Sequence, residues 1–333
     1  MNRSLHGNII SFTGFLLIIL ALFLVFLSTG VRTSLDFPSS VLNLNTIFIS
    51  ILIEALPFVL IGVIIAGFIQ IFITEEHIRR WIPKNKILAV VMSCITGALF
   101  PACECGIVPI VRRLISKGVP IHAAMGFMLT GPLINPIVIA STYMAFGNDL
   151  KIAGLRMGLG FLVALMAAFA VSLVFKGNQL KLPAEKEHSH SSPGKAGFFD
   201  RLWSMLTHSI DEFFDMAKYL ILGAFLASLV QTYLPVKTLL QSGASPISSL
   251  LIMMGLAYVL SLCSEADAFI GASFNSIFPT SSVLGFLIFG PMIDLKNTLM
   301  MLSVFKTRFV LIMLSLVAGL VFITIIMTER FFF

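Results

Sequence analysis

Long apolar runs separated by short polar segments dominate the chain. They extend over 9–29, 46–73, 87–111, 119–146, 152–175, 217–234, 248–272, 281–303 and 307–328. Each is continuous and rich in Leu, Ile, Phe and Met, without the strict alternation of a barrel strand. In hydrocarbon the backbone must satisfy its own polar groups, and about 20 apolar residues in a helix cross the core. The pattern predicts an all-α polytopic membrane protein, multi-pass in the plasma membrane, of about 8–10 transmembrane helices.

The run over 9–29 follows Arg3 and ends in Leu-Ser-Thr-Gly. It is too long for a signal-peptide core and lacks an A-x-A cleavage site, so a retained extra helix is expected within 1–45. A solvated segment, 176–200, has the Pro, Gly, Ser and Lys content of a linker. It divides a first transmembrane unit, 46–175, from a second, 201–333. The second opens on RLWSMLTHSIDEFFDMAKYL, an amphipathic lead-in expected to lie along the membrane interface.

The two units resemble each other. Gly126-Phe-Met-Leu-Thr-Gly-Pro-Leu-Ile-Asn135 aligns without a gap on Gly285-Phe-Leu-Ile-Phe-Gly-Pro-Met-Ile-Asp294. Upstream, Cys103-Glu104-Cys105 matches Cys263-Ser264-Glu265, and Leu60-Ile61-Gly62 with Gln70 matches Leu222-Gly223 with Gln231. An ordered series of matches implies two internal repeats, either parallel or inverted. Lys and Arg counted on alternate sides of nine spans come out roughly equal, contrary to the positive-inside bias. One segment is therefore re-entrant or one boundary lies elsewhere.

Composition agrees with a bilayer. Of 333 residues, 58% are hydrophobic and 11% charged, with mean hydropathy +1.00, against about 25% charged in soluble domains. The net charge of +6 gathers in loops, at Arg79, Arg80, Lys84 and Lys86, at Arg112, Arg113 and Lys117, and along 176–195. That is membrane topology rather than nucleic-acid binding. The four cysteines lie in apolar segments and form no disulfide framework. There is no G-x-x-x-x-G-K-[ST], H-E-x-x-H or C-x-x-C, so no enzyme activity and no resident cofactor is expected.

The chemistry concentrates where helices should break. Pro101 and Pro109, with Gly106 between them, should interrupt the run around Cys103, Glu104 and Cys105. Unwinding would let both sulfurs reach one ligand, whereas an intact helix points them to opposite sides. Gly131, Pro132 and Pro136 bracket Asn135 in a second break, and Gly290 and Pro291 precede Asp294 in its counterpart. Broken helices at matching positions mark transporter sites. Glu54, Glu104, Glu265 and Asp267 are intramembrane carboxyl groups and candidates for proton coupling. Thiols beside carboxylates suit a thiophilic solute, which makes Cys103, Glu104, Cys105, Asn135, Cys263, Glu265 and Asp294 the candidate binding set. Cys103 and Cys105 are the candidate metal ligands. Cys94 and His122 read as packing, Arg112 and Arg113 as interface anchors, and His188 and His190 as a solvated pair.

Pro101-Ala-Cys-Glu-Cys-Gly106, with Gly131-Pro132-Leu-Ile-Asn135-Pro136 and Gly290-Pro291, resembles the YraQ/YcgR-type predicted permease family. That family is related to exporters of trivalent organoarsenicals and to predicted copper and zinc efflux proteins. The resemblance runs from about Thr46 to the C-terminus. It implies a thiophilic contact at Cys103, Glu104 and Cys105, and a partner membrane subunit or homo-oligomer. The expected function is secondary transport of a thiophilic metal or metalloid out of the cell, in exchange for protons. The alternatives are a permease for a non-thiophilic solute with structural cysteines, and a membrane subunit that anchors a partner.

Overall fold

The computed structural model describes residues 39–74, 76, 78, 82–83, 85–100, 103–175, 177–181, 198–233 and 245–332. The apolar run over 9–29, most of the 176–200 linker, and Pro101 lie outside the described residues. Helices account for nearly everything else. In chain order they are α1 (Ser39–Phe72), α2 (Lys86–Leu99), α3 (Glu104–Ser116), α4 (Ile121–Thr130), α5 (Pro136–Ala145) and α6 (Leu150–Val174). After the linker come α7 (Phe198–Tyr233), α8 (Pro246–Leu260), α9 (Ser264–Phe274), α10 (Thr280–Met292), α11 (Leu295–Val304) and α12 (Thr307–Phe332).

Contacts between residues fix the direction of each helix. At one end of the molecule the start of α2 and α4 meets the end of α3 and α6, around a pocket lined by Lys86, His122, Ile115 and Ser172. Lys117 Nζ, just past α3, donates to Gln70 O near the end of α1 at 2.6 Å. Backbone bonds from Lys181 to Val304 and from Lys306 to Gln179 bring the α11–α12 junction to the same end. Lys86, Arg112, Arg113, Lys117, Lys181, Lys306 and Arg308 gather there, and the positive-inside rule makes this the cytoplasmic face.

From that face α2 runs inward and α3 runs back. Gly97 lies against Thr130 and Phe127, and Gly126 against Cys94, so α2 runs parallel to α4. The 87–111 run is thus a re-entrant hairpin and not a span. The physical reason is length: the 14 residues of α2 reach about 21 Å at 1.5 Å per residue, short of a core about 30 Å thick. By contrast α4 and α5 together cross the membrane, interrupted at 131–135, and α6 returns with Gly160 against Leu133.

The second six helices run through the same order from the other side. α7 crosses beside α1, with Phe225 edge-on to Phe48. It is one continuous helix of 36 residues, so the amphipathic lead-in is its first part, not a separate interfacial element. α8 and α9 form a hairpin entering from the non-cytoplasmic face, since Gly285 and Gly290 of α10 lie against Leu250 and Ala257 of α8. α9 turns back, placing Gly271 against Leu287 and Asp267 against Gly290. α10 and α11 cross to the cytoplasmic face, and α12 returns with Ile325 beside Gly285. The 248–272 run is therefore also a hairpin. Among the described residues, two re-entrant segments in place of spans explain why Lys and Arg, counted across nine spans, come out roughly equal on the two sides.

Two expected helix breaks are corrected. α3 runs unbroken through Gly106 and Pro109, because a proline removes one intrahelical bond and α3 is held by packing against α1, α4 and α11. Gly106 instead permits close approach: a Cβ there would lie 2.7 Å from Phe58 O, and Gly62 faces it from α1. Gly290 and Pro291 fall in the last turn of α10, and the chain leaves helix only at Ile293 and Asp294. Gly131 and Pro132 do stand in a non-helical link, and Pro136 opens α5 at its first position, where a proline costs no bond.

Candidate functional site

The start of α11 bridges the tips of the two hairpins deep in the bundle, and each tip is built on a cysteine. Cys103 has extended backbone and is the N-cap of α3; Cys263 is extended likewise and is the N-cap of α9. Extended geometry at Cys103 turns its side chain back over the first helical turn, where the thiol of Cys105 meets it. The unwinding that brings the two sulfurs together lies before α3, not within it.

Glu104 and Cys105 are buried, Cys103 half-buried. Lys296, from the start of α11, places its Nζ 3.0 Å from Glu104 Oε1 and 3.6 Å from Asp294 Oδ2. The same ammonium donates to Ser261 O at 3.1 Å. The ammonium thus has one hydrogen-bond acceptor, the Ser261 carbonyl, and two carboxylates within ion-pair distance. Glu104 and Asp294 are 2% and 1% exposed, and a charge at that depth is held only by a partner. Asp294 also caps α11, accepting from Asn297 N at 2.5 Å.

Ser261 ties the second hairpin to the same helix end. Its hydroxyl accepts from Leu295 N at 3.1 Å and from Lys296 N at 3.3 Å. These bonds satisfy amides that α11 leaves open at its N-terminus. Ser261 holds a left-handed conformation, φ 47°, unusual for a residue with a side chain. A strained turn survives where its surroundings fix it, and here the α11 amides do so.

Around the Cys263 tip the cation is Arg156 of α6, 2% exposed. Its Nε donates to Leu287 O at 3.1 Å, its NH1 to Thr142 Oγ1 at 2.6 Å and its NH2 to Ser264 O at 3.0 Å. One side chain thereby ties α6 to α10, α5 and α9. Cys263 Sγ accepts from Ala266 N at 3.4 Å, and Glu54, exposed on α1, reaches the Cys263 thiol. Glu265 and Asp267 lie in the field of Arg156.

The structure therefore brings Glu104, Cys105 and Asp294 together about Lys296, with Cys103 beside Cys105, and Cys263, Glu265 and Asp267 together about Arg156, with Glu54 at the Cys263 thiol. Asn135 stands at the α4–α5 link and uses its amide oxygen to cap α5, accepting from Ile137 N at 3.0 Å. Among the described residues no group of three or more His, Cys, Asp and Glu side chains is placed to hold a metal ion. Cys94 is buried beside Gly126, as packing predicts. Arg112 and Arg113 are more than interface anchors: both bind Glu212 of α7, at 3.2 and 2.7 Å.

Arg156 and the role of Lys296 escaped the sequence reading. A signal for Arg156 was present, since it is a lone charge within the apolar run 152–175, and such residues default to function. Lys296, two residues past Asp294, gives no local sign in the sequence of its pairing with Glu104.

An apolar cavity of about 620 Å³ adjoins the first hairpin. It runs from Ile73, Ile78 and Ile82 at the cytoplasmic end to Phe100, at the hairpin turn, and Phe127.

A family profile described as "predicted permease", ArsP_1, matches residues 40–329. The chain is 54% identical to the protein named YcgR of Bacillus subtilis over 283 residues, 85% of this chain and 96% of that one. It is 44% identical over 274 residues to a protein of Streptococcus mutans named as a putative two-component membrane permease complex subunit, covering 82% and 91% of the two chains. With YraQ of Escherichia coli the identity is 23% over 169 residues, about half of each chain. No solved structure matches. With six passes and two re-entrant hairpins among the described residues and a profile match over most of its length, the chain is a multi-pass membrane protein that belongs to the predicted permease family of YcgR and YraQ.

Proposed function

We propose that the chain is the transport subunit of a secondary permease that exports a thiophilic solute: a trivalent organoarsenical, copper or zinc. The observation that carries this reading is the facing pair of thiols, Cys103 and Cys105, at the start of α3. Two soft sulfurs side by side select a soft acceptor. Glu104 and Lys296 beside them give the pair a polar setting with a counter-charge of either sign. The apolar cavity ending at Phe100 supplies an approach from the cytoplasmic end.

We read residues 39–174 and 198–332 as inverted repeats joined by the linker. The order of long helix, hairpin, interrupted pass and closing helix supports this, as does its reversal of direction in the second half. Inverted repeats with interrupted helices at the centre let one half rock against the other around a fixed site. The naming of the Streptococcus mutans relative as a permease complex subunit favours a partner membrane subunit over a solitary chain.

The test is sensitivity of a deletion strain to methylarsenite, Cu(I) and Zn(II), with the gene restored as wild type or as Cys103→Ser/Cys105→Ser. Protection by the wild type that disappears in the double variant is the expected result. Full protection by the double variant would remove the thiol site, and no phenotype with any solute would remove the thiophilic substrate.

A further inference from the structure

Five fully buried ionisable side chains lie at the crossing of the hairpins: Glu104, Asp267 and Asp294 against Arg156 and Lys296. Ionised together they leave one uncompensated negative charge. Their ion pairs say where it would fall. Glu104 and Asp294 share the Lys296 ammonium, and Asp294 also accepts from Asn297 N. Asp267 is 1% exposed, and among the described residues neither of its oxygens accepts a hydrogen bond or stands in an ion pair, whereas Glu104, equally without a hydrogen bond, has the Lys296 ammonium at 3.0 Å. Arg156 has committed Nε, NH1 and NH2 to Leu287, Thr142 and Ser264. A buried carboxylate without donors carries a desolvation cost of several kcal/mol, whereas a neutral carboxyl group in the same place does not.

The geometry points to Asp267 as a proton-binding site of the permease, loaded in this conformation, whose proton release draws Lys296 away from Glu104 and frees the tip of the first hairpin. This deepens the transport reading by assigning its coupling ion a residue, and the proton site itself stands without any solute. The charged groups facing Asp267 are Arg156 of α6, Asp294 and Lys296 at the start of α11, and Glu265 on its own helix. α5 and α10, both packed on α9, contribute no charged residue. When Asp267 loses its proton the new negative charge attracts whichever cation can move. Arg156 is fixed by a planar fork across three helices; Lys296 sits on a flexible four-carbon stem. Lys296 is the one that moves, and Glu104 loses the partner that holds α3 to α11. No bond other than O–H breaks: the proton passes from the Asp267 carboxyl to water in the pathway and returns from the other side.

Infrared spectroscopy of the purified protein in lipid membranes tests the site directly. A protonated carboxyl group has a carbonyl stretch, apart from the amide bands, that shifts in D2O. Such a band is expected at neutral pH in the wild type and in Asp294→Asn, and it should be absent from Asp267→Asn. Its absence from the wild type, or persistence in Asp267→Asn, would overturn the assignment. Should Asp267→Asn fail to fold, Asp267→Glu must move the band, and an unmoved band would be equally fatal. For the second step, maleimide labelling of Cys105 is followed with pH in a Cys103→Ser background. The rate should rise several-fold more with alkaline pH than in the same protein carrying Asp267→Asn; equal slopes would sink the release of Lys296. Neither measurement uses a solute, so loss of the thiophilic reading in the resistance assay leaves both results decisive.

Discussion

The two hairpin tips use one backbone device for different chemistry. Each turns from helix to extended chain and restarts a helix on a cysteine, Cys103 in one and Cys263 in the other. A buried cation from elsewhere in the fold then grips the residue after the cysteine. At the first tip Lys296 grips the side chain of Glu104; at the second Arg156 grips the backbone oxygen of Ser264. A carboxylate grip depends on charge and opens when protons or competing charges move. A carbonyl grip from a guanidinium changes little with charge state. Under the proposed proton coupling, the first tip is the one that releases and the second the one that stays.

Breaking the first grip should have the largest effect. Lys296→Met strands Glu104 and Asp294 without a cation, and removing one partner of a buried ion pair costs about 3–5 kcal/mol. The loss should appear in thermal unfolding in detergent, and adding Glu104→Gln should recover part of it. A double variant no more stable than Lys296→Met would show that the two side chains are not coupled.

At the second tip Arg156→Lys keeps the charge and loses the fork. With three donors on a shorter reach, it cannot serve Leu287, Thr142 and Ser264 together. A cost of about 2–3 kcal/mol follows, since bonds from charged donors contribute about 1.5–3 kcal/mol each. If lysine restored wild-type stability here, the contrast between a fixed and a movable cation would fail.

The close approach of the first hairpin to α1 gives a smaller effect. In Gly106→Ala the new methyl group would meet Phe58 O, and overpacking of this kind costs about 1–3 kcal/mol. Displacement of α3 from α1 should also change labelling of Cys103 by a maleimide; unchanged stability and labelling would mean that this contact has slack.

How much of this was legible in sequence follows from the same residues. Apolar runs locate nearly every helix, because hydrocarbon leaves the backbone few choices. Gly131-Pro132-Leu-Ile-Asn135-Pro136 announces its break, as it combines a helix-ending proline with a capping Asn and a proline at the first helical position. What hydropathy cannot distinguish is a span from a hairpin of the same length. The 87–111 run reads as one interrupted span, and only the pairing of its two arms with α4 and α1 reveals that the chain turns back. The pairing of Lys296 with Glu104 joins residues 192 positions apart, beyond any local pattern.

Pro109 is where the sequence pattern misleads, and it gives the finest test of the comparison. Two prolines flanking C-E-C-G suggest an unwound segment, yet α3 continues through Pro109, with the turn confined to the chain before Glu104. If the tip chemistry depends only on that turn, Pro109→Ala should leave it intact. The substitution restores one amide that can donate to Cys105 O, and a net hydrogen bond contributes about 0.5–1.5 kcal/mol. Stability should therefore rise by about 1 kcal/mol or less, with unchanged labelling of Cys103 and Cys105 and unchanged solute resistance. A loss of resistance without a loss of stability would mean that the free Cys105 carbonyl itself serves the transported solute. The first tip would then differ from the second in its backbone as well as in its side chains, since α9 carries no proline.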